Sequence, residues 1–266
     1  MRTITIVAVL GLLLPGIISC KKEIKIPRNE ISQEVKDKIV VLGFSARNAE
    51  RIDEGYLVEN DIVLSDEDLD HNSTTDFLRI AGNEQYHTSN LLTALPRAIT
   101  INLSGNLPSS YSAALDEAIR RYNAENLLIH FQRKNENADI DMIKGMGNYW
   151  AISGLPSPGG MPYRTIKINS VFIGNGNSSN SFINHLATIM AHEIGHCIGF
   201  RHTDYMDRSF SCGGQPVNEG PGSSGAISIY GTPTTPDSGS WMLVCLSPGQ
   251  NRPFNRNDQV ALNYLY

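Results

Sequence analysis

His192-Glu193-Ile194-Gly195-His196-Cys197-Ile198-Gly199-Phe200-Arg201-His202 is the stretch that decides how this chain is read. On an α-helix, His192 and His196 lie four residues apart, on one face and one turn apart, so both imidazoles reach a single metal ion. Glu193 points about 100° further round the axis. It is turned too far to ligate the same ion, but is well placed to hold a water bound to it. Gly199 is able to take the left-handed backbone that ends a helix and turns the chain back. That return brings His202 in as a third ligand. Three protein nitrogens plus one position left to water are the arrangement of a catalytic zinc site; structural zinc sites close all four. The motif offers no fourth side-chain ligand, which excludes a purely structural zinc domain.

On the N-terminal side, Ser181 is expected to cap the metal helix. His185, two turns before His192 or about 10 Å along the axis, is too far to share the ion and reads as a surface or packing residue. Upstream, Ile99, Ile101 and Leu103 alternate with Thr100 and Asn102, which predicts a strand. Ser109 or Ser110 caps a helix carrying Leu115, Ala118, Ile119 and Tyr122 on one face. Further strands are marked by Ile129 and Phe131, by Ile140 and Met142, and by Ile166 and Ile168. Residues 145–161, rich in Gly, Pro and Ser, predict a long loop, and 174–180 a second one. His71, His87 and His130 have no metal spacing. On the C-terminal side 203–239 is loop-like, and Asn257-Asp258 caps a last helix with Ala261, Tyr264 and Leu265 on one side.

The pattern H-E-x-x-H-x-x-G-x-x-H is the zinc signature of the metzincin metallopeptidases. The fuller string at 192–204, HEIGHCIGFRHTD, resembles the bacterial dual-action HEIGH metallopeptidases, a metzincin group related to the astacins. The resemblance implies an α+β, zincin-like catalytic domain: a mixed, twisted sheet, the zinc helix and a Met-turn, preceded by a small N-terminal prosegment. It implies one catalytic Zn2+ held by His192, His196 and His202, with Glu193 as general base for peptide hydrolysis. Ser240-Trp241-Met242 resembles the Met-turn, with Met242 beneath the ligating imidazoles. Val244 stands where astacins and serralysins carry a tyrosine that reaches the zinc, so that extra ligand is not expected here. By the same resemblance strand 164–169 borders the cleft, and an extended substrate adds to its edge. Val58-Glu59-Asn60-Asp61-Ile62 resembles the F-x-G-D prosegment motif of astacins, which implies Asp61 as a latency ligand in the zinc's open position. Val58 replaces Phe and Asn60 replaces Gly, although Asn tolerates the left-handed turn. The competing reading makes Asp61 a loop carboxylate of a permanently attached N-terminal domain. Asp204 is a candidate for orienting a ligating histidine, or else an ordinary turn carboxylate near Arg201 or Arg208.

The rest of the sequence sets the context. With 266 residues, 41% hydrophobic and 18% charged, the chain has the composition of a soluble globular protein with one core and an appendage. Net charge is −5 and the Lys and Arg are scattered, so no nucleic-acid partner is expected. Arg2, the apolar run Ile4 to Ile18 and Ile17-Ile18-Ser19-Cys20 resemble a lipoprotein signal with Cys20 lipidated. Lys21 favours sorting to the outer membrane over retention at the inner one. The expected division is therefore 1–20 signal peptide, 21–76 tether and prosegment, 77–266 peptidase domain. Within 21–76, 31–43 reads as a helix through Val35, Ile39 and Val40, 55–64 as a strand, and 66–70 as an acidic helix or loop. The protein is then an exported bacterial lipoprotein of the outer membrane or cell surface, released after cleavage. It is expected as a monomer acting on a protein or peptide in extended conformation. Cys212 and Cys245 sit in irregular segments and are the better disulfide pair; Cys197, in the zinc helix, packs as a small apolar residue, with Cys197–Cys212 the alternative pairing. The alternative function is a catalytically silent surface binding protein on the same scaffold, against which intact Glu193 and three intact ligands argue.

Overall fold

Alternating β-branched residues make the sheet, and one apolar helix face closes its core. The computed structural model describes residues 31–70, 85–104, 106–215, 226–233 and 235–266. Cys20, the signal segment and the expected 76/77 boundary lie outside them.

The chain opens with α1 (Gln33–Val41), capped by Ser32, whose hydroxyl accepts from Val35 N. It continues through β1 (Glu50–Ile52), β2 (Gly55–Val58), β3 (Ile62–Leu64) and the acidic α2 (Asp66–Asp70). Residues 55–64 are thus a hairpin and not the single strand expected. Glu59 and Asn60 at its tip both have positive φ, 52° and 81°, the backbone of the tight turns that match strand twist. Next come β4 (Tyr86–His87), β5 (Arg97–Leu103), α3 (Ser110–Asn123), β6 (Ile129–Arg133) and β7 (Ile140–Lys144). Then follow β8 (Ala151–Gly154), β9 (Thr165–Ile168), α4 (Ser170–Ile173) and the metal helix α5 (Asn180–Cys197). Last are β10 (Phe200–Arg201), α6 (Ser209–Cys212), β11 (Ile227–Ser228) and α7 (Arg256–Leu265).

Among the described residues the main sheet runs β1-β2-β3-β8-β9-β7-β5-β6, and β10-β4-β11 form a small second one. β5, β6, β7 and β9 pair in parallel, while β8 runs antiparallel to β9. α3 and α5 pack against each other over this sheet, burying Tyr111, Leu115, Tyr122, Leu186, Met190 and Ile194 with Ile99, Ile101, Ile140 and Ile166. A separate cluster of Ile39, Tyr56, Val58, Ile62 and Leu69 holds the N-terminal segment together.

Four further sequence expectations need correcting. Ser179, not Ser181, caps α5, its hydroxyl accepting from Phe182 N. The expected loop 145–161 contains β8, whose four residues include a single large apolar side chain, Ile152, too little to signal a strand. Strand 164–169 is no cleft edge: β9 is enclosed by β7 and β8, and the outer side of β8 is taken by β3 in a parallel pairing, Ile62 opposite Ser153. Ser153 N donates to Asp61 O at 3.0 Å, so the hairpin tip is anchored to the same strand. Segment 203–239 is likewise not wholly irregular, since it carries α6 and β11.

Candidate metal centre

α5 ends at Ile198, whose N–H turns back onto the last carbonyls, and Gly199 follows at φ 109°. A side chain there would meet Leu91 and the Asn90 carbonyl, so only glycine fits the reversal. The reversal delivers His202 to the two helix histidines. His196 Nε2 lies 3.0 Å from His192 Nε2 and 3.2 Å from His202 Nε2. Asp61, at the hairpin tip, joins them: its Oδ2 is 3.2 Å from His192 Nε2 and 3.1 Å from His202 Nε2. All four residues are buried.

The chemistry of this set fits a divalent cation. Each outward ring nitrogen faces an acceptor: His192 Nδ1 the Trp241 carbonyl at 2.8 Å, His196 Nδ1 the Phe200 carbonyl at 2.8 Å, and His202 Nδ1 the Glu59 carboxylate at 3.1 Å. Those acceptors hold the proton on Nδ1, so in the neutral rings the Nε2 lone pairs point at one another. Lone pairs converging beside a carboxylate repel unless a cation lies between them. Asp61 Oδ1, buried and without a hydrogen-bond partner, faces the same point. Burial lowers the His202 pKa, but Asp61 and Glu59 outweigh it and raise it to about 10. Burial and the neighbouring imidazoles push His196 well below the ordinary histidine range. Asp61 and Glu59 are held below the carboxylate range despite burial, Asp61 by the histidines and Glu59 chiefly by Arg201.

Glu193 lies beside the histidines, 3% exposed, and Ser153 Oγ donates to its Oε2 at 2.7 Å. Burial, with the charge of Asp61, pushes its pKa well up. Ser153 carries no sequence signal; it was missed because β8 was. Glu59 stood inside the quoted Val58–Ile62 string without a role, and its partners lie more than 140 residues away. Besides His202 it takes Arg201 Nη2 at 2.7 Å. The Arg201 guanidinium lies 3.7 Å over the Phe44 ring. Asp204 does not orient a histidine. Its carboxylate accepts from Val244 N and Ser211 Oγ, tying the turn after His202 to the segment after Met242. His185 packs edge-on against Trp150 and bonds the Gln250 carbonyl.

Met242 is fully buried, and a Cβ on Gly195 would come within 2.6 Å of its sulfur, so the side chain lies directly against the metal helix. Thr203 N donates to the Met242 carbonyl at 3.0 Å. Cys212 is bonded to Cys245, and Cys197 is free and buried. A cavity of about 360 Å³ opens beside the centre, walled by Asp61, Glu193, Ile189, Trp150, Leu243 and Arg252.

Three converging histidines, a buried glutamate on the same helix and a cavity at their side, on a mixed α+β fold, define a metallopeptidase centre. The chain belongs to the dual-action HEIGH metallo-peptidases, whose family pattern matches residues 57–266. That match begins inside the hairpin. The comparison with curated proteins gives no match. Among solved structures, myroilysin is similar at 18% identity and TM-score 0.30, over 42% of this chain and 44% of that one. A second myroilysin structure gives 18% and 0.29, over 43% and 48%. The zinc-protease hatching enzyme high choriolytic enzyme 1 of medaka, Oryzias latipes, gives 19% and 0.33, over 63% and 88%. The chain thus spans under half the length of the myroilysin chains it matches.

Proposed function

We propose that the protein is a zinc endopeptidase, latent while the N-terminal hairpin occupies its centre. The observation that carries the reading is the convergence of His192, His196 and His202 beside Glu193. The three Nε2 atoms would hold the ion, and Met242 would support them from below. Bound zinc supplies a Lewis acid that acidifies water and polarises the scissile carbonyl. Glu193 takes a proton from the attacking water at Oε1 while Ser153 fixes Oε2, and passes it to the leaving amine. An extended peptide would take the outer side of β8, where Ser153 N donates a backbone hydrogen bond.

On this reading Asp61 fills the position meant for water, since a carboxylate oxygen is an acceptable zinc ligand. The hairpin also occupies the substrate's side of β8, so it blocks both ligand and substrate. Cleavage between about residues 64 and 90 would release it, and would free the peptidase from a lipid anchor at Cys20. The protein would then be an outer-membrane or surface lipoprotein, acting as a monomer.

The test is hydrolysis of a proteome-derived peptide library, with and without chelator. The full chain is used, before and after limited proteolysis. Chelator-sensitive cleavage is expected, and His202→Ala should lose zinc on dialysis. Cleavage that persists in the metal-stripped protein would overturn the mechanism. No cleavage by a zinc-loaded, proteolysed protein would favour the silent binding scaffold. Latency is tested by Asp61→Ala in the uncleaved chain: a large rise over uncleaved wild type is expected, and equal activity would sink the idea. Anchoring is tested by Cys20→Ser, which should move the protein from the membrane to the soluble fraction.

A further inference from the structure

The cavity beside the histidines is largely apolar, with Trp150, Ile189, Leu243 and Leu246 in its wall, yet Arg252 is there too. Among the described residues that line it, no lysine or other arginine does. Arg252 is 8% exposed. Its Nη1 donates to the Cys245 carbonyl at 3.0 Å, and its Nε is buried without a hydrogen-bond partner. Among the described residues no carboxylate lies within ion-pair distance of it. Burial pushes its pKa down, against the more distant pull of Asp204 and Asp258. A guanidinium removed from water without a counter-ion is costly, and a carboxylate brought by a ligand relieves that cost with paired charge-assisted hydrogen bonds.

Its position sets which ligand group could reach it. The Arg252 backbone N–H donates to Thr188 Oγ1 at 3.0 Å, which fixes where its side chain starts. Thr188 lies one helical turn before His192 on the same face, about 5–6 Å along α5. The guanidinium shares the cavity wall with His192 and Glu193, so a carboxylate meeting Arg252 belongs to a ligand that also lies beside the histidines.

We propose that Arg252 is a specificity residue: it selects peptides with an aspartate or glutamate directly beside the scissile bond. This rests on the peptidase reading above, and the test keeps the two apart. The chain's two tryptophans, Trp150 and Trp241, both line the cavity, so their fluorescence reports its occupancy. The metal-stripped chain, after limited proteolysis, is titrated with N-acetylglutamic acid α-amide and with N-acetylglutamine amide. The acid should bind more tightly by roughly 10- to 100-fold, the worth of a hydrogen-bonded charge pair. Arg252→Gln should abolish the difference. Arg252→Lys, which keeps the charge, should retain part of it and guards against a misfolded variant. In the zinc-loaded, proteolysed protein, matched peptides with Glu or Gln on either side of the cut should show the same discrimination in kcat/KM. Equal binding of acid and amide by wild type, or cleavage without acidic preference, overturns the proposal. Acid-selective binding lost in Arg252→Gln supports it even if no peptide is cut; that outcome counts against the peptidase chemistry instead.

Discussion

Glu59→Ala should unlock the centre without touching any of the four residues that converge there. Glu59 is 2% exposed, with Arg201 Nη2 at 2.7 Å and His202 Nδ1 at 3.1 Å on its two carboxylate oxygens. Removing one partner from such a buried, charge-paired network costs about 3–5 kcal/mol. The undocked hairpin would hold Glu59 in water, so that loss falls on the docked state alone. The docking equilibrium then shifts by roughly 10²- to 10⁴-fold toward the open form. The parallel pairing of β3 with β8 survives and opposes part of this. The assay is hydrolysis of a fluorogenic peptide by the uncleaved chain, with zinc content measured in parallel. The parallel measurement is needed because loss of the His202 partner is expected to weaken the metal by about 10–100-fold. Activity should rise toward that of the proteolysed protein. An uncleaved Glu59→Ala that is fully zinc-loaded, yet no more active than uncleaved wild type, would refute the reasoning.

Other consequences are as direct. Glu193→Gln should retain zinc and lose about 10²–10⁴-fold in kcat, read by metal analysis and steady-state kinetics on the proteolysed protein. Gly195→Ala should destabilise the fold by a net of about 1–2 kcal/mol in thermal melts: the helix gain of alanine is smaller than the cost of forcing Met242 Sδ and Trp241 Nε1 away from the new Cβ. Hydrogen bonding from Arg120, with that from Arg121, lowers the pKa of Glu117 from its ordinary 4.5 to about 2. A folded pKa below the unfolded one stabilises above about pH 4.5, and the gain is lost as pH falls through about 2. Glu117→Gln should therefore cost about 1–2 kcal/mol at pH 7 after solvent screening, and close to nothing near pH 2 in acid titrations of stability.

The metal helix was legible because its spacing states its geometry. Two histidines one turn apart, a glycine and a third histidine leave little freedom, and Gly199 adopts the positive φ that the turn requires. Asn60 was legible for the same local reason. What escaped depends on residues far apart in the chain. β8 is four residues long, and only its neighbours β3 and β9 make it a strand. Glu59 meets His202 across 143 positions. Asp204 misled by proximity: two residues from His202 in sequence, it turns away to Val244 and Ser211. Arg252 belongs to no motif, and its place in the cavity wall follows from bonds to Thr188 and to the Cys245 carbonyl.

The Cys212–Cys245 bond adds a condition on where the wall is completed. Cys245 lines the cavity, its carbonyl accepts from the Arg252 guanidinium, and its N–H donates to the Ser211 hydroxyl, which in turn donates to Asp204. In a reducing compartment these residues would rest on hydrogen bonds alone, across a sequence separation of 33. A chain folded there could assemble its histidines and still present an unfinished subsite. Chemistry and selectivity would then mature at different moments, the second only after the chain reaches an oxidising space.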